Sequence, residues 1–317
     1  MIGHDDILAA ASRIAGHVRR TPVMAMEEGA FGLPVDLVLK LESLQHAGSF
    51  KARGAFNALL TAQESDAGVP PAGVIAASGG NHGAAVAFAA QYLGYRAEIF
   101  VPELASPAKI QRLKDFGAEV RITGASYADA LAAALLRQRE SGALSIHAYD
   151  EPAVLAGQGT LGREFHAQIA ELDTVLVAVG GGGLIGGVAA WYHGIADGRT
   201  KVIGVEPAAC PSLHAALAAG QPVDVEVGGI AADSLGARRV GKLMFRIAEQ
   251  AIDRVVLVDD AAIRSTQLLL WRDLRLAVEP GGATALAALI SGAYPYRPGE
   301  RIGVVICGGN TDPSSLA

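Results

Sequence analysis

Apolar positions along this chain follow two rhythms. Short, β-branched runs stand at Val35–Leu41, Val74–Ala76, Glu98–Val101, Glu119–Ile122, Leu144–Ile146, Thr174–Val179, Lys201–Val205, Arg254–Val258 and Ile302–Ile306. They read as strands buried on both faces, where no polar residue need alternate with the apolar ones. Alanine-rich stretches of helical character lie between them, such as Ala84 to Ala90 after the second run. Regular alternation of the two predicts an α/β fold of parallel sheets covered by helices on both faces. At 317 residues the chain can hold two domains with substantial cores.

Several joints between a strand and the next helix carry glycine. Ala77-Ser78-Gly79-Gly80-Asn81-His82-Gly83 follows the Val74 run directly. A strand-to-helix loop of this kind gathers backbone N–H groups and a positive helix end at one point, which suits a carboxylate or a phosphate. A tight turn capped by Ser78 or Asn81 accounts for the segment equally well. Gly180-Gly181-Gly182-Gly183-Leu184 follows the Thr174 run. Four glycines in a row are costly to order, so a group that approaches the backbone closely, most simply a phosphate, accounts for them better than a flexible linker inside a strand–helix pair. No Gly-Lys-Ser/Thr loop is present. A third joint ends the last strand at Cys307-Gly308-Gly309-Asn310, where a lone cysteine is more often packing than chemistry.

Lys51, in Ser49-Phe50-Lys51-Ala52-Arg53-Gly54-Ala55, stands between the Val35 run and a helical pattern. Desolvation or a neighbouring cation makes a lysine amine nucleophilic, and Arg53 is positioned in sequence to supply the charge. By itself, Lys51 reads as a solvated helix lysine.

Composition narrows the class of protein. Hydrophobic residues make up 51% of the chain, charged residues 18%, and the net charge is −6, so nothing favours nucleic acid or an anionic membrane as a partner. No long apolar run stands out as membrane-spanning, and the N-terminal segment is acidic rather than a basic signal; the expected location is the cytoplasm. Two cysteines, Cys210 and Cys307, make no disulfide framework and no zinc spacing.

Taken in order, Ser-Phe-Lys-Ala-Arg-Gly-Ala, Ser-Gly-Gly-Asn-His-Gly, the Gly180–Gly183 run with Leu184 and the terminal Cys-Gly-Gly-Asn resemble the pyridoxal-phosphate enzymes of the serine/threonine dehydratase and serine racemase group. The resemblance covers nearly the whole chain. It implies fold type II, the tryptophan synthase β-like arrangement of two doubly wound parallel-sheet domains with the small one inserted into the large. Here the small domain is expected at 64–147, and the large one at 1–63 and 148–317, with the site in the cleft between them.

The resemblance also implies roles. Lys51 would hold pyridoxal 5′-phosphate and then act as the base for the substrate α-proton. Phe50 would lie against the cofactor ring, Gly180, Gly181, Gly182, Gly183 and Leu184 would cradle its phosphate, and Asn81 would bond its hydroxyl. Glu279 would lie near the ring and Cys307 would face its nitrogen. Ser78, Gly79, Asn81 and His82 would line the pocket for the substrate carboxylate. The implied activity is dehydration of a β-hydroxy amino acid, L-threonine or L-serine, to a 2-keto acid and ammonia by a homodimer. A thiol does not protonate a pyridine as a carboxylate would, and that favours elimination.

Some positions depart from the pattern. Serine racemases carry a second acid/base, a serine, where this chain has Gly79, so efficient racemisation is not expected. Their divalent-cation segment begins Glu-Pro, as Glu206-Pro207 does, but Cys210 and Ser212 replace the later oxygen ligands, so no metal is expected. Tyr127 stands where relatives that take dicarboxylic substrates can present an arginine, which favours a small neutral substrate over 3-hydroxyaspartate. The chain stops shortly after Asn310, and an appended regulatory domain is not expected. A β-replacement synthase and a non-catalytic pyridoxal-phosphate-binding sensor remain as alternatives, weakened by Phe-Lys-Ala-Arg and by the intact Lys51, Asn81 and glycine run.

Overall fold

The strands that form are β1 Val23–Ala25, β2 Asp36–Leu41, β3 Val74–Ala77, β4 Ala97–Val101, β5 Glu119–Ile122, β6 Leu144–Ser145, β7 Thr174–Ala178, β8 Lys201–Pro207, β9 Arg254–Val258 and β10 Arg301–Ile306. They come from a computed structural model that describes residues 2–195 and 199–316; the outer ends of the expected large domain, Met1 and Ala317, lie outside the described residues. β2, β10, β7, β8 and β9 form a parallel sheet in that spatial order, and β5, β4, β3 and β6 form a second parallel sheet. All four strands of the second sheet fall between β2 and β7 in the chain, so the smaller sheet is an insertion in the path of the larger.

One strand departs from the expected parallel arrangement. β1 pairs antiparallel with β2 at the edge, with Val23 opposite Lys40. It is three residues long, two half-buried and one exposed, so it leaves no run for periodicity to detect.

Each sheet has its own core. Val175 to Val179, Val202, Ile203, Val205, Ile302 and Val304 to Ile306 are buried with the helices that cover the larger sheet. Val74, Ala76, Ile99 and Val101 are buried with Ala84 to Val86 around the smaller one. The helix Lys51–Glu64 joins the two. It sends Ala52, Ala55, Phe56 and Leu59 into the smaller core while its other side packs on helix Pro152–Gln168. Close packing there depends on Gly157, where a Cβ would stand 2.7 Å from the Arg53 carbonyl oxygen. Among the described residues no helix is long and apolar enough to cross a membrane.

Candidate active site

The joints picked out in the sequence meet at the carboxyl ends of the strands, the usual position for a ligand in an open α/β sheet. One cavity is lined by Phe50, Lys51, Asn81, Gly180 to Gly183, Leu184, Glu279 and Cys307. Tyr149, Ser234 and Leu235 complete it.

Lys51 opens its helix, with Phe50 at the N-cap. Its Nζ donates to the Ala148 carbonyl oxygen at 2.7 Å and lies 5.2 Å from the centre of the Phe50 ring. Burial disfavours the ammonium form and lowers the amine to about 8, while the Glu279 carboxylate pulls it back upward. Arg53 is not the cause. Its Nη2 and Nε donate to Glu42 at 2.7 and 2.9 Å, and it also pairs with Glu164 at 3.1 Å, so its charge is consumed inside a buried ion cluster. Helical geometry sends residues two apart to different faces, and that separates Arg53 from Lys51.

The glycine run turns from β7 into helix Gly183–His193. Gly182 sits at φ +89°, and a Cβ on Gly181 would stand 2.4 Å from the Tyr149 ring, so side chains are refused on two counts. The amides of Gly183, Leu184 and Ile185 open the helix without intrahelical acceptors and are available to an anion.

Asn81 begins helix Asn81–Tyr92. Its Nδ2 donates to Glu279 Oε1 at 2.6 Å, and its Oδ1 accepts from Asn310 Nδ2 at 2.5 Å. Burial pushes the Glu279 carboxyl up to about 7, against the Asn81 hydrogen bond. Ser78 Oγ accepts from the Gly80 amide at 3.2 Å and shapes the loop. The His82 ring turns away from the cavity: its Nε2 donates to the Ile146 carbonyl oxygen at 2.9 Å. Burial, followed by the nearby Lys51, lowers it to about 3, so the ring is neutral. At the helix start the backbone amide of His82, beside those of Asn81 and Gly83, has no intrahelical acceptor and is available to an anion.

Cys307 follows β10 and donates its thiol proton to the Gly281 carbonyl oxygen at 3.4 Å. Burial raises its pKa strongly, so the group is an uncharged SH. The residues thus fit a phosphorylated aldehyde with an aromatic ring: a poised amine, an amide cradle too tight for side chains, a flanking phenylalanine and a neutral group near the end of the central strand.

Outside this cavity, Glu206 accepts from Leu213 N at 2.7 Å, His214 N at 2.8 Å and Ser212 Oγ at 3.1 Å. It caps helix Ser212–Ala219, and these donors engage both carboxyl oxygens. Tyr127 begins helix Tyr127–Ser141, more than half exposed. Sequence reasoning missed Tyr149, in a connection, and Ser234 and Leu235, on the short helix Ala232–Leu235; none of them belongs to a motif. Asn310 stands in plain view as the last residue of Cys-Gly-Gly-Asn.

Comparison with known proteins agrees with this geometry. The family model described as "Pyridoxal-phosphate dependent enzyme" matches residues 14–308. The chain is 38% identical over 317 residues to an L-threonine ammonia-lyase of Geobacter sulfurreducens, covering 100% of this chain and 78% of that one. It is 37% identical over 308 residues to a phenylserine dehydratase of Ralstonia pickettii, covering 96% and 92%. Among solved structures it superposes on maize serine racemase with a TM-score of 0.92 and 34% identity, covering 99% of this chain and 95% of that chain. On its folded core, its cavity and these matches, the chain belongs to the pyridoxal-phosphate-dependent enzymes of fold type II.

Proposed function

We propose that this lyase removes water from a β-hydroxy amino acid, L-threonine or L-serine, and yields a 2-keto acid and ammonia. The observation that carries the reading is the Lys51 amine, lowered to about 8 and placed in one cavity with the glycine run and the start of the Asn81 helix. Relatives named L-threonine ammonia-lyase support the choice of reaction. Bound pyridoxal phosphate supplies an electron sink for the α-carbon.

The chain's own residues do the rest. Gly180 to Gly183 and Leu184 hold the phosphate through backbone amides, and the Phe50 ring flanks the pyridine. Glu279 engages one Nδ2 hydrogen of Asn81 and leaves the other for the ring hydroxyl. The loop from Ser78 through Gly79 to the His82 amide receives the substrate carboxylate. Lys51 Nζ takes the α-proton, with a pKa close to working pH as a general base requires. The β-hydroxyl leaves as water with the proton that Lys51 Nζ returns to it; hydrolysis of the released enamine then consumes one water and gives the 2-keto acid and ammonia. Cys307 offers the ring nitrogen a neutral thiol, and Gly79 offers no hydroxyl for a second proton transfer, so elimination is favoured over racemisation.

In this reading residues 64–147 form the small domain and 1–63 with 148–317 the large one. The enzyme works in the cytoplasm as a homodimer. A second reading keeps the reaction and enlarges the substrate. Tyr149 lines the cavity and supplies an aromatic wall, and one relative is named a phenylserine dehydratase, so an aromatic β-substituent belongs among the substrates to be tried.

The test is a visible spectrum of the purified protein before and after addition of L-threonine, L-serine, 3-hydroxyaspartate, phenylserine and the D-forms, with 2-keto acid assayed in the same sample. A cofactor band that shifts with one substrate as keto acid accumulates supports the reading and selects the side chain; a shift without keto acid defeats it. Lys51→Ala should lose both the lysine-bound cofactor band and turnover, and retained elimination at the normal rate would refute the role given to Lys51.

A further inference from the structure

A second cleft, of about 230 Å³, opens between helix His4–Arg13, the connection that follows it and helix Pro152–Gln168. It shares no lining residue with the cavity of Lys51. Arg20, Arg163 and Gly16 line it, together with Arg53, Thr160 and Glu164.

Three guanidinium groups line one cleft, Arg53 from its buried floor and Arg20 and Arg163 from its exposed rim. Arg53 is 1% exposed, with Nε and Nη2 held by Glu42. Its Nη1 carries two hydrogens and has one long contact, Thr160 Oγ1 at 3.4 Å. That hydroxyl already donates to the Gly157 carbonyl oxygen at 2.6 Å. Behind Arg53, Lys40 joins the same buried cluster through Glu164. The two carboxylates of the cluster, Glu42 and Glu164, balance the two buried cations, Lys40 and Arg53. Arg20 and Arg163 have no hydrogen bond or ion pair among the described residues, which leaves two uncompensated positive charges at the cleft.

We infer that this cleft is a binding site for a phosphate-class dianion, distinct from the cradle for the cofactor phosphate. Two charges match Arg20 and Arg163, and guanidinium forks present paired donors to tetrahedral oxygens. The free hydrogen of Arg53 Nη1 supplies a further donor from a rigid, buried side chain, so the site is partly preorganised. Arg53 lies on the first turn of the helix that Lys51 opens, and an occupant would therefore touch the element that carries the reacting amine.

The experiment uses the holoenzyme and inorganic phosphate at pH 8, where phosphate is a dianion, with sodium chloride added to hold ionic strength constant. Binding is followed by phosphorus NMR line broadening of the free ion, which is separate in frequency from the cofactor phosphate. Wild type should bind saturably. Arg20→Ala and Arg163→Ala should each weaken binding about tenfold, the scale of one charge-assisted hydrogen bond, and the double variant should abolish it. Keto acid formation without added phosphate should be unchanged in all three. Equal binding by wild type and the double variant would place the anion elsewhere and overturn the site, as would no saturable binding by wild type. A double variant that changes the sedimentation coefficient would also overturn it, because the cleft would then be an interface between copies.

Discussion

Glu279 and Glu206 are both buried carboxyls raised to about 7, yet their surroundings give them different work. Glu206 is surrounded by donors at a helix start and serves as a cap. Glu279 has Asn81 on one oxygen and stands at the wall of the cofactor cavity, with Asp233 reinforcing the upward shift and Arg112 and Lys109 opposing it. Its folded pKa is raised above the ordinary 4.5, so the folded chain binds this proton more tightly than the unfolded chain. The contribution to stability is fully present below pH 4.5 and is lost as pH rises through 7. Glu279→Gln keeps the acceptor for Asn81 and removes the titration. In the cofactor-free protein, the difference in unfolding free energy between wild type and variant should change by on the order of 2–3 kcal/mol between pH 4 and 8. Glu206 titrates in both proteins and cancels. A difference that stays flat over that range would show that Glu279 does not carry the shift.

At the scale of elements, the helix that begins with Lys51 is anchored by charge as well as by its apolar face. Glu42 is fully buried and takes its bidentate partner from Arg53. Arg53→Met should therefore cost about 3–5 kcal/mol in a denaturant titration, because it leaves that carboxylate buried without its cation. Adding Glu42→Gln should recover part of the loss; a double variant less stable than Arg53→Met would argue against an uncompensated charge as the cause. This anchor also marks the limit of what the sequence discloses. Most strands from β2 to β10 are legible to within about two residues because their apolar runs are continuous; β5, Glu119-Val120-Arg121-Ile122, alternates instead and is mostly exposed at the edge of its sheet rather than buried on both faces. The glycine joints are legible because glycines clustered at a strand end are costly to order unless another group must approach the backbone. Arg53 reads as a neighbouring cation for Lys51 because neither of its partners is within a helical turn of it: Glu42 stands in the turn after β2, and Glu164 approaches only when helices Lys51–Glu64 and Pro152–Gln168 pack. Tyr149, Ser234 and Leu235 are hidden for the same reason: their place in the cavity is set by tertiary approach, and nothing in their local spacing records it.

At the scale of the whole molecule, the two sheets meet across a cleft whose polar ties run between separate parts of the chain. Lys109, on helix Pro107–Asp115 against the smaller sheet, pairs with Asp233, next to Ser234 and Leu235 of the cofactor cavity. Arg112, one turn further along, donates to the Ala47 carbonyl oxygen at 2.6 Å, and Asn310 donates to the same oxygen at 2.9 Å. The Lys109–Asp233 pair is partly exposed, so it adds little to global stability, about 0–1 kcal/mol. Its place across the cleft gives it a different use. In the proposed mechanism the Ser78–His82 loop receives the substrate; movement of the smaller sheet onto the larger would enclose it, and a pair spanning the opening would favour that closed arrangement. Lys109→Ala and Asp233→Ala should each raise KM by a few-fold with little change in the unfolding midpoint. The double variant should be no worse than either single one, because both remove the same tie. Salt screens exposed pairs, so about 1 M sodium chloride should raise the wild-type KM toward that of the variants and leave theirs nearly unmoved. If instead the two substitutions add, or salt moves all the proteins alike, the pair does not couple the two sheets and closure rests on the contacts of Arg112 with Ala47 and of Asn310 with Asn81.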